Sequence, residues 1–291
     1  MSAAIGRPVV VGVDGSAASL ASITLAAREA TLRGRPLRLV HADSWAAHPA
    51  WVDTDPGGSL AEDLPGDPEG IVKEAVEKAG EVATTPVTAE VVPGEPGTVL
   101  ARESHAAELV VVCHRGAGGF LGLRLGSVAI KVAAHARCPV LVTRGTPVPG
   151  GPLLVGVDWS AANQHPVGFA FEEATLRDAE LVALHGWTGP VYPGSTDLLP
   201  LVPDPVTVRG QEAERLTLAL RDWAERYPRI RVRPQLVRAR AASALVAASE
   251  YAQLVVVGTR GTGGRPVLPF GSVTHALLHH SACPVVVVPG R

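Results

Sequence analysis

The chain is 291 residues long and 46% apolar, with 26 basic against 28 acidic side chains and a formal net charge of −2. That length points to two domains, and apolar content this high fills sizeable cores. So even a charge balance gives no electrostatic case for nucleic acid or an anionic membrane surface as a partner. No apolar run reaches the roughly 18 residues of a membrane helix. The opening MSAAIGRP carries no basic stretch followed by an apolar one, so no signal peptide is read there. Three cysteines, an odd number without a CxxC pair, argue for reduced thiols and a cytoplasmic protein.

In chain order the first apolar run is Val9–Val13, followed by a helix that starts at Ser16 and ends near "TLR", then a strand closing at His41. A Pro/Gly-rich passage (43–68) precedes a helix signal, "PEGIVKEAVEKAGEVA". Strands follow at 87–92, 108–113 and 139–143, with short Ala-rich helices between them. Then the pattern begins again. "PVVVGVDGSAASLASITLAAREATLR", from Pro8, returns as "PLLVGVDWSAANQHPVGFAFEEATLR", from Pro152. The second copy has strands at Leu153–Val157, up to His185, and at 231–237, 253–258 and 284–288, with a helix over "GQEAERLTLALRDWAERY". A repeat this long is a whole domain rather than a solenoid unit. The expected domains are 1–145 and 152–291, joined by a Pro/Gly-rich linker at 146–151.

Continuous Val/Leu runs separated by helices predict a parallel sheet covered on both faces. Right-handed crossovers make the simplest topology a Rossmann-like, doubly wound, five-stranded α/β sheet in each copy, with strand order 3-2-1-4-5. Ligands of such sheets sit beyond the carboxyl ends of the strands where the order reverses. The loops there carry Asp14 and Asp158, Ala42 and Gly186, and a glycine-rich loop after the fourth strand.

In the second copy that loop runs Gly258-Thr-Arg-Gly261, nine residues, then Gly271-Ser272-Val273. A glycine at a strand end lets a ligand lie against the backbone. A Gly-Ser pair opening a helix offers N–H groups to an anion, with help from the helix dipole. The alternative is a tight turn in which Ser272 merely caps its helix. The loop is neither a Walker P-loop nor GxGxxG.

This pattern, Gly-x2-Gly-x9-Gly-Ser after "VGVD" and a strand-ending His, resembles the ATP-binding branch of the universal stress protein family, and the likeness spans both halves. It implies adenine at Gly186, ribose at Asp158 and Gly258, and phosphates at Gly261, Gly271, Ser272 and Val273, with Gly156 and Arg260 beside them. In the first half the same roles fall to Ala42, Asp14, Gly116, Gly126, Ser127 and Val128, flanked by Gly12 and Arg115. It also implies Mg²⁺ accompanying the phosphates, antiparallel pairing of Pro139–Thr143 with Pro284–Val288, a homodimer, and an undefined regulatory protein partner. The first half departs from the pattern at one position, where Cys113 replaces the leading glycine.

His41 and His185 read as structural residues bonded to nearby backbone. His275 and His279 stand at i,i+4 spacing beside His280, but without the third ligand zinc needs, and so read as a surface helix. Arg115 and Arg260 either meet phosphate or point to solvent; Arg124 and Arg265 recur less consistently. Cys138 and Cys283 read as small core residues, and Cys113 as the one thiol near a ligand. Trp45, Trp51 and Trp187 either shield a base or anchor their loops. No general base or arginine finger for fast hydrolysis is evident. An adenylating enzyme would want HxGH or SGGxDS, and neither occurs. The remaining alternative is a nucleotide-independent interaction module.

Overall fold

The computed structural model describes residues 6–44, 67–116, 125–188, 204–261 and 269–290. The chain divides after Thr143 into two compact units, each built on its own five strands. Unit 1 runs β1 (Val9–Val13), α1 (Ala17–Arg33), β2 (Leu37–Asp43), α2 (Pro68–Gly80), β3 (Val87–Pro93), α3 (Pro96–Glu103), β4 (Leu109–Cys113), α4 (Ser127–His135) and β5 (Val140–Thr143). Unit 2 repeats this as β6 (Leu153–Gly156), α5 (Gln164–Arg177), β7 (Leu181–Gly186), α6 (Pro205–Arg226), β8 (Val232–Val237), α7 (Ala241–Ala248), β9 (Leu254–Gly258), α8 (Ser272–His280) and β10 (Val285–Val288).

Within unit 1 the strand order is β3-β2-β1-β4-β5, and within unit 2 it is β8-β7-β6-β9-β10. Every pairing inside a unit is parallel. This is the doubly wound α/β arrangement expected from the alternating runs. The central strands are apolar at nearly every position because helices cover both faces. The register is duplicated too: Val9 lies opposite Leu37 and Leu109, and Leu153 opposite Leu181 and Leu254. Each unit therefore reverses strand order beside its first strand, at β1 or β6, which is where the loops part.

The "EATLR" ends of α1 and α5 close with buried ion pairs, Glu29 with Arg33 at 2.6 Å and Glu173 with Arg177. Gly34 takes the left-handed C-cap position after α1 with φ 60, and Asp178 takes it after α5 with φ 47. Two helix starts differ from expectation. Ser16 caps α1 directly, accepting from Ser19 N at 3.1 Å, whereas Ser160 leads only into a 3-10 turn at Ala161–Asn163 and α5 begins at Gln164. Helix α6 starts at Pro205 instead of Gly210, because Asp204 caps it by accepting from Val206 N and Thr207 N, and Pro is well suited to a first helical position.

Residues 144–151 lie along unit 2. The Arg144 guanidinium donates to the carbonyls of Leu278 (3.2 Å), Ser281 (3.0 Å) and His279 at the end of α8. Thr146 N donates to Ala282 O, Val148 N to Ala252 O, and Gln253 Nε2 to Gly151 O.

Candidate functional site

Beyond the carboxyl ends of the strands each unit opens a cavity. The unit 2 cavity, about 250 Å³, is lined by Gly156, Asp158, Gly186, Gly258, Arg260, Gly261, Gly271, Ser272 and Val273 together. The unit 1 cavity, about 380 Å³, is lined by Gly12, Asp14, Ala42, Cys113, Gly116, Gly126, Ser127 and Val128. Arg115 is not among its lining residues, in contrast to Arg260 in unit 2. Four segments far apart in sequence thus converge twice on the same arrangement.

One carboxylate enters each cavity. Asp14 Oδ1 accepts from Ser16 N (3.0 Å) and Ser16 Oγ (2.7 Å); Asp158 Oδ1 accepts from Ser160 N (2.9 Å) and Ser160 Oγ (2.6 Å). Those bonds hold Oδ2 toward the glycine loop. A Cβ at Gly116 would sit 2.2 Å from Asp14 Oδ2, and one at Gly261 2.1 Å from Asp158 Oδ2. Here glycine is required because a carboxylate fills the space a side chain would occupy.

The helix starts decide between a cap and an open anion cradle. Gly126 and Gly271 are the N-caps of α4 and α8, neither with a side-chain cap bond. Ser127 and Ser272 are the first helical residues, so the reading of Ser272 as a helix cap is overturned. With no capping side chain, the N–H groups of the first turn face the cavity. Gly126 N donates to His114 O (2.7 Å) and Gly271 N to Thr259 O (2.9 Å), tying each helix start to the preceding strand end. A Cβ on Gly126 or Gly271 would come no nearer than 3.5 and 3.6 Å to protein atoms. The protein's own packing would thus accept a Cβ at either position in ordinary contact.

Farther in, Gly12 and Gly156 make room for Leu100 and Leu245, whose Cδ1 atoms would lie 2.6 and 2.9 Å from an added Cβ. These leucines, from α3 and α7, line the cavities with Pro96 in unit 1 and Ala241 in unit 2. Sequence reading missed them, although their shared offset in the two copies was available as a signal. Gly186 lies so close to Ala241 that a Cβ would be 2.5 Å from its Cα. Unit 1 carries Ala42 at that place and has the wider cavity.

The strand ends also differ. Thr274 Oγ1 donates to Gly258 O at 2.6 Å, whereas unit 1 has Ala129 in place of Thr274. A Cβ on Gly258 would meet nothing nearer than 3.5 Å, so the fold itself tolerates the side chain that Cys113 supplies. Burial, reinforced by the Asp14 charge, pushes the Cys113 thiol up to about 11. Cys138 and Cys283 are buried, and burial drives them to about 12 and about 11.

His41 Nδ1 lies 2.9 Å from Val13 O, and His185 Nδ1 2.8 Å from Val157 O, which is the backbone role expected of them. A carbonyl only accepts, so each Nδ1 carries the proton. His185 further packs on Trp159 (ring centroids 4.3 Å apart), and both reach Glu212 of α6. Trp187 is buried beneath Arg238, 5.7 Å from guanidinium to ring, and does not line the cavity. The rings of His275 and His279 stack at 4.5 Å. Among the described residues no group of three or more His, Cys, Asp or Glu could hold a metal, and no helix is long and apolar enough to cross a membrane. Trp45, Trp51, Arg124 and Arg265 lie outside the described residues.

The universal stress protein family model matches residues 6–144 and again 151–289. The chain belongs to the universal stress protein family. A universal stress protein of Mycobacterium tuberculosis is 36% identical over 294 residues, covering 96% of this chain and 95% of its own. The crystal structure of one from Archaeoglobus fulgidus DSM 4304 aligns over 98% of this chain and 99% of that one, with a TM-score of 0.64 at 18% identity, a likeness of fold. A universal stress protein from Archaeoglobus fulgidus in complex with dAMP matches 48% of the chain at 23% identity and a TM-score of 0.35. This universal stress protein thus carries two tandem family domains, each with its own cavity at the reversal of strand order.

Proposed function

We propose that this universal stress protein binds ATP in both cavities and acts as a cytoplasmic regulatory protein, its conformation or partner binding changing with nucleotide occupancy. The observation that carries this reading is the open cradle at Gly271-Ser272 and Gly126-Ser127, an uncapped helix start facing a cavity with a fixed carboxylate on the opposite side. The triphosphate fits the N–H groups of the helix start. The Asp158 or Asp14 carboxylate accepts from ribose hydroxyls, and the strand end at Gly186 or Ala42 borders the base. Arg260 adds a cation in unit 2.

Among the described residues only one carboxylate lines each cavity, so Mg²⁺ would ride mainly on the phosphates. Among the described lining residues the other potential base is His41 or His185, whose Nδ1 is held by a backbone carbonyl, an arrangement that favours binding with slow turnover at most. In this reading a homodimer and a regulatory protein partner follow from the resemblance.

The test is to purify the protein without added nucleotide, denature it, and quantify released adenine nucleotides per chain by chromatography and mass spectrometry. Near two ATP per chain means both cavities bind; near one points to unit 2. No release, and no binding on adding Mg-ATP, refutes the proposal and favours a nucleotide-independent interaction module.

A further inference from the structure

The two units differ most in charge at the sheet edge formed by their third strands. Residues 81–96 of unit 1 hold Glu81, Glu90 and Glu95 and no Lys or Arg. The equivalent residues of unit 2, 226–241, hold Arg226, Arg229, Arg231, Arg233, Arg238 and Arg240 and no acid. All six arginines are exposed. In a chain of net charge −2 this is a concentrated cationic edge.

The acids of unit 1 are answered internally: Glu81 pairs with Lys78 (2.5 Å), Glu90 with Arg38 (2.8 Å) and Glu95 with Lys131 (2.7 Å). The arginines of unit 2 are not. Glu180 alone among the described acids faces Arg231 (3.8 Å) and Arg233 (3.3 Å), while Arg226 and Arg238 lie over tryptophan rings.

A second difference adjoins the first. In unit 1 the face between β2, β3 and α3 is filled by Arg38, bonded to Glu103 at 2.9 Å and to Glu90. The duplicated register places Val182, Ala248 and Gln235 at those positions in unit 2. An open trough of about 440 Å³ takes the place of the ion cluster, floored by Leu154, Val182 and Leu184 and bordered by Arg233, Gln235 and Tyr251. Tyr251 is 72% exposed. Arg233 belongs to both features, so the apolar trough opens onto the arginine-bearing edge at that residue.

We infer that this surface docks an acidic, amphipathic polypeptide segment of a partner, its carboxylates on the arginine row and an aliphatic side chain in the trough. Guanidinium forks match carboxylates in paired hydrogen bonds. Pro234 in the middle of β8 has no N–H to donate, so the edge is unsuited to adding a partner strand, and side chains carry the recognition. Single-stranded nucleic acid is less well matched, since its binders rely on several aromatic platforms and the floor here is aliphatic. The inference concerns a surface outside the nucleotide cavities and stands whether or not those bind ATP.

The test uses fluorescence anisotropy of the full chain with three labelled probes of equal charge: a peptide repeating Glu-Glu-Leu-Leu, polyglutamate, and oligothymidylate. The Glu-Leu peptide is expected to bind most tightly, more weakly as salt rises from about 0.05 to 0.3 M. Replacing Arg229, Arg231 and Arg233 together by Ala, all exposed and outside the core, should weaken it roughly 10-fold or more. The pair Val182→Arg with Ala248→Glu, which rebuilds the unit 1 ion cluster in the trough, should weaken the peptide while leaving polyglutamate unchanged. Equal binding of all three probes, tighter binding of oligothymidylate, no binding at all, or an arginine variant that binds as the parent does would each overturn the inference.

Discussion

Replacing Gly261 by Ala tests whether the carboxylate and the glycine loop form one site. Gly261 is not in the left-handed region, so an alanine there costs little in backbone terms and its effect is steric. The new Cβ would lie 2.1 Å from Asp158 Oδ2, and real contacts of this kind essentially never fall below 3.0 Å. The carboxylate must therefore swing away by about 1 Å, which disturbs the bonds that Oδ1 accepts from Ser160 N and Oγ at 2.9 and 2.6 Å. A hydrogen bond to a charged group contributes about 1.5–3 kcal/mol. Losing one such bond to a ribose hydroxyl corresponds to roughly 10- to 100-fold weaker nucleotide binding at unit 2. The assay is isothermal titration of Mg-ATP into nucleotide-stripped protein, with Gly116→Ala as the matching change in unit 1, where the Cβ would lie 2.2 Å from Asp14 Oδ2. Gly210→Ala serves as a control: nothing lies within 4 Å of its Cβ, and in the interior of α6 it should stabilise by about 1 kcal/mol without touching affinity. Unchanged affinity in both loop variants would refute the pairing of carboxylate and loop as a ligand site.

The unit 1 cavity should bind ATP more weakly than that of unit 2, with Cys113→Gly strengthening the former and Gly258→Cys weakening the latter; equal affinities in the parent protein, by site-resolved titration, would count against this. Cys113 should alkylate slowly with iodoacetamide at pH 8, where a thiol near 11 is only ~0.1% thiolate, and Asp14→Asn should speed the reaction by removing the nearby negative charge. Burial would raise the Glu95 carboxyl, but Lys131, Thr98 and the Thr98 and Gly97 N–H groups together lower it from 4.5 to about 2. Its contribution to stability is thus fully present above pH 4.5 and lost as pH falls through about 2. Glu95→Gln should lower the melting temperature at pH 7, and by progressively less at each step down from pH 4.5. Thr274→Val should loosen the end of β9 and speed nucleotide release from unit 2 relative to the parent while leaving unit 1 unchanged, read by stopped-flow displacement.

The order of strands was legible because the central strands are rich in Val and Leu and the whole pattern is written twice. Helix starts were less so. Pro205 belongs to a Pro-rich passage, and only the bond from Asp204 to the first-turn N–H groups makes it a helix start. The site was legible at its glycines and acids, since those residue types carry the chemistry. Two things were hidden: Gly116 faces Asp14 across about a hundred residues of chain, a juxtaposition only the folded sheet creates, and Leu100 and Leu245 look like any core leucine until Gly12 and Gly156 open the space they enter. The arginine run at 226–241 was in plain view, but a near-neutral total concealed it; charge summed over a chain says nothing about where on a sheet it gathers.

The strap formed by residues 144–151 bears on any attempt to study the halves apart. A second half begun at Pro152, the first residue of the repeat, would lack the Arg144 side chain and leave the last carbonyls of α8 without their donor. Fraying there would travel along a helix of only nine residues toward Gly271, at the mouth of the cavity. A half begun at Arg144 keeps that clasp, so a residue that the sequence assigns to the end of the first half sets where the second half must be cut if its affinity is to mean anything.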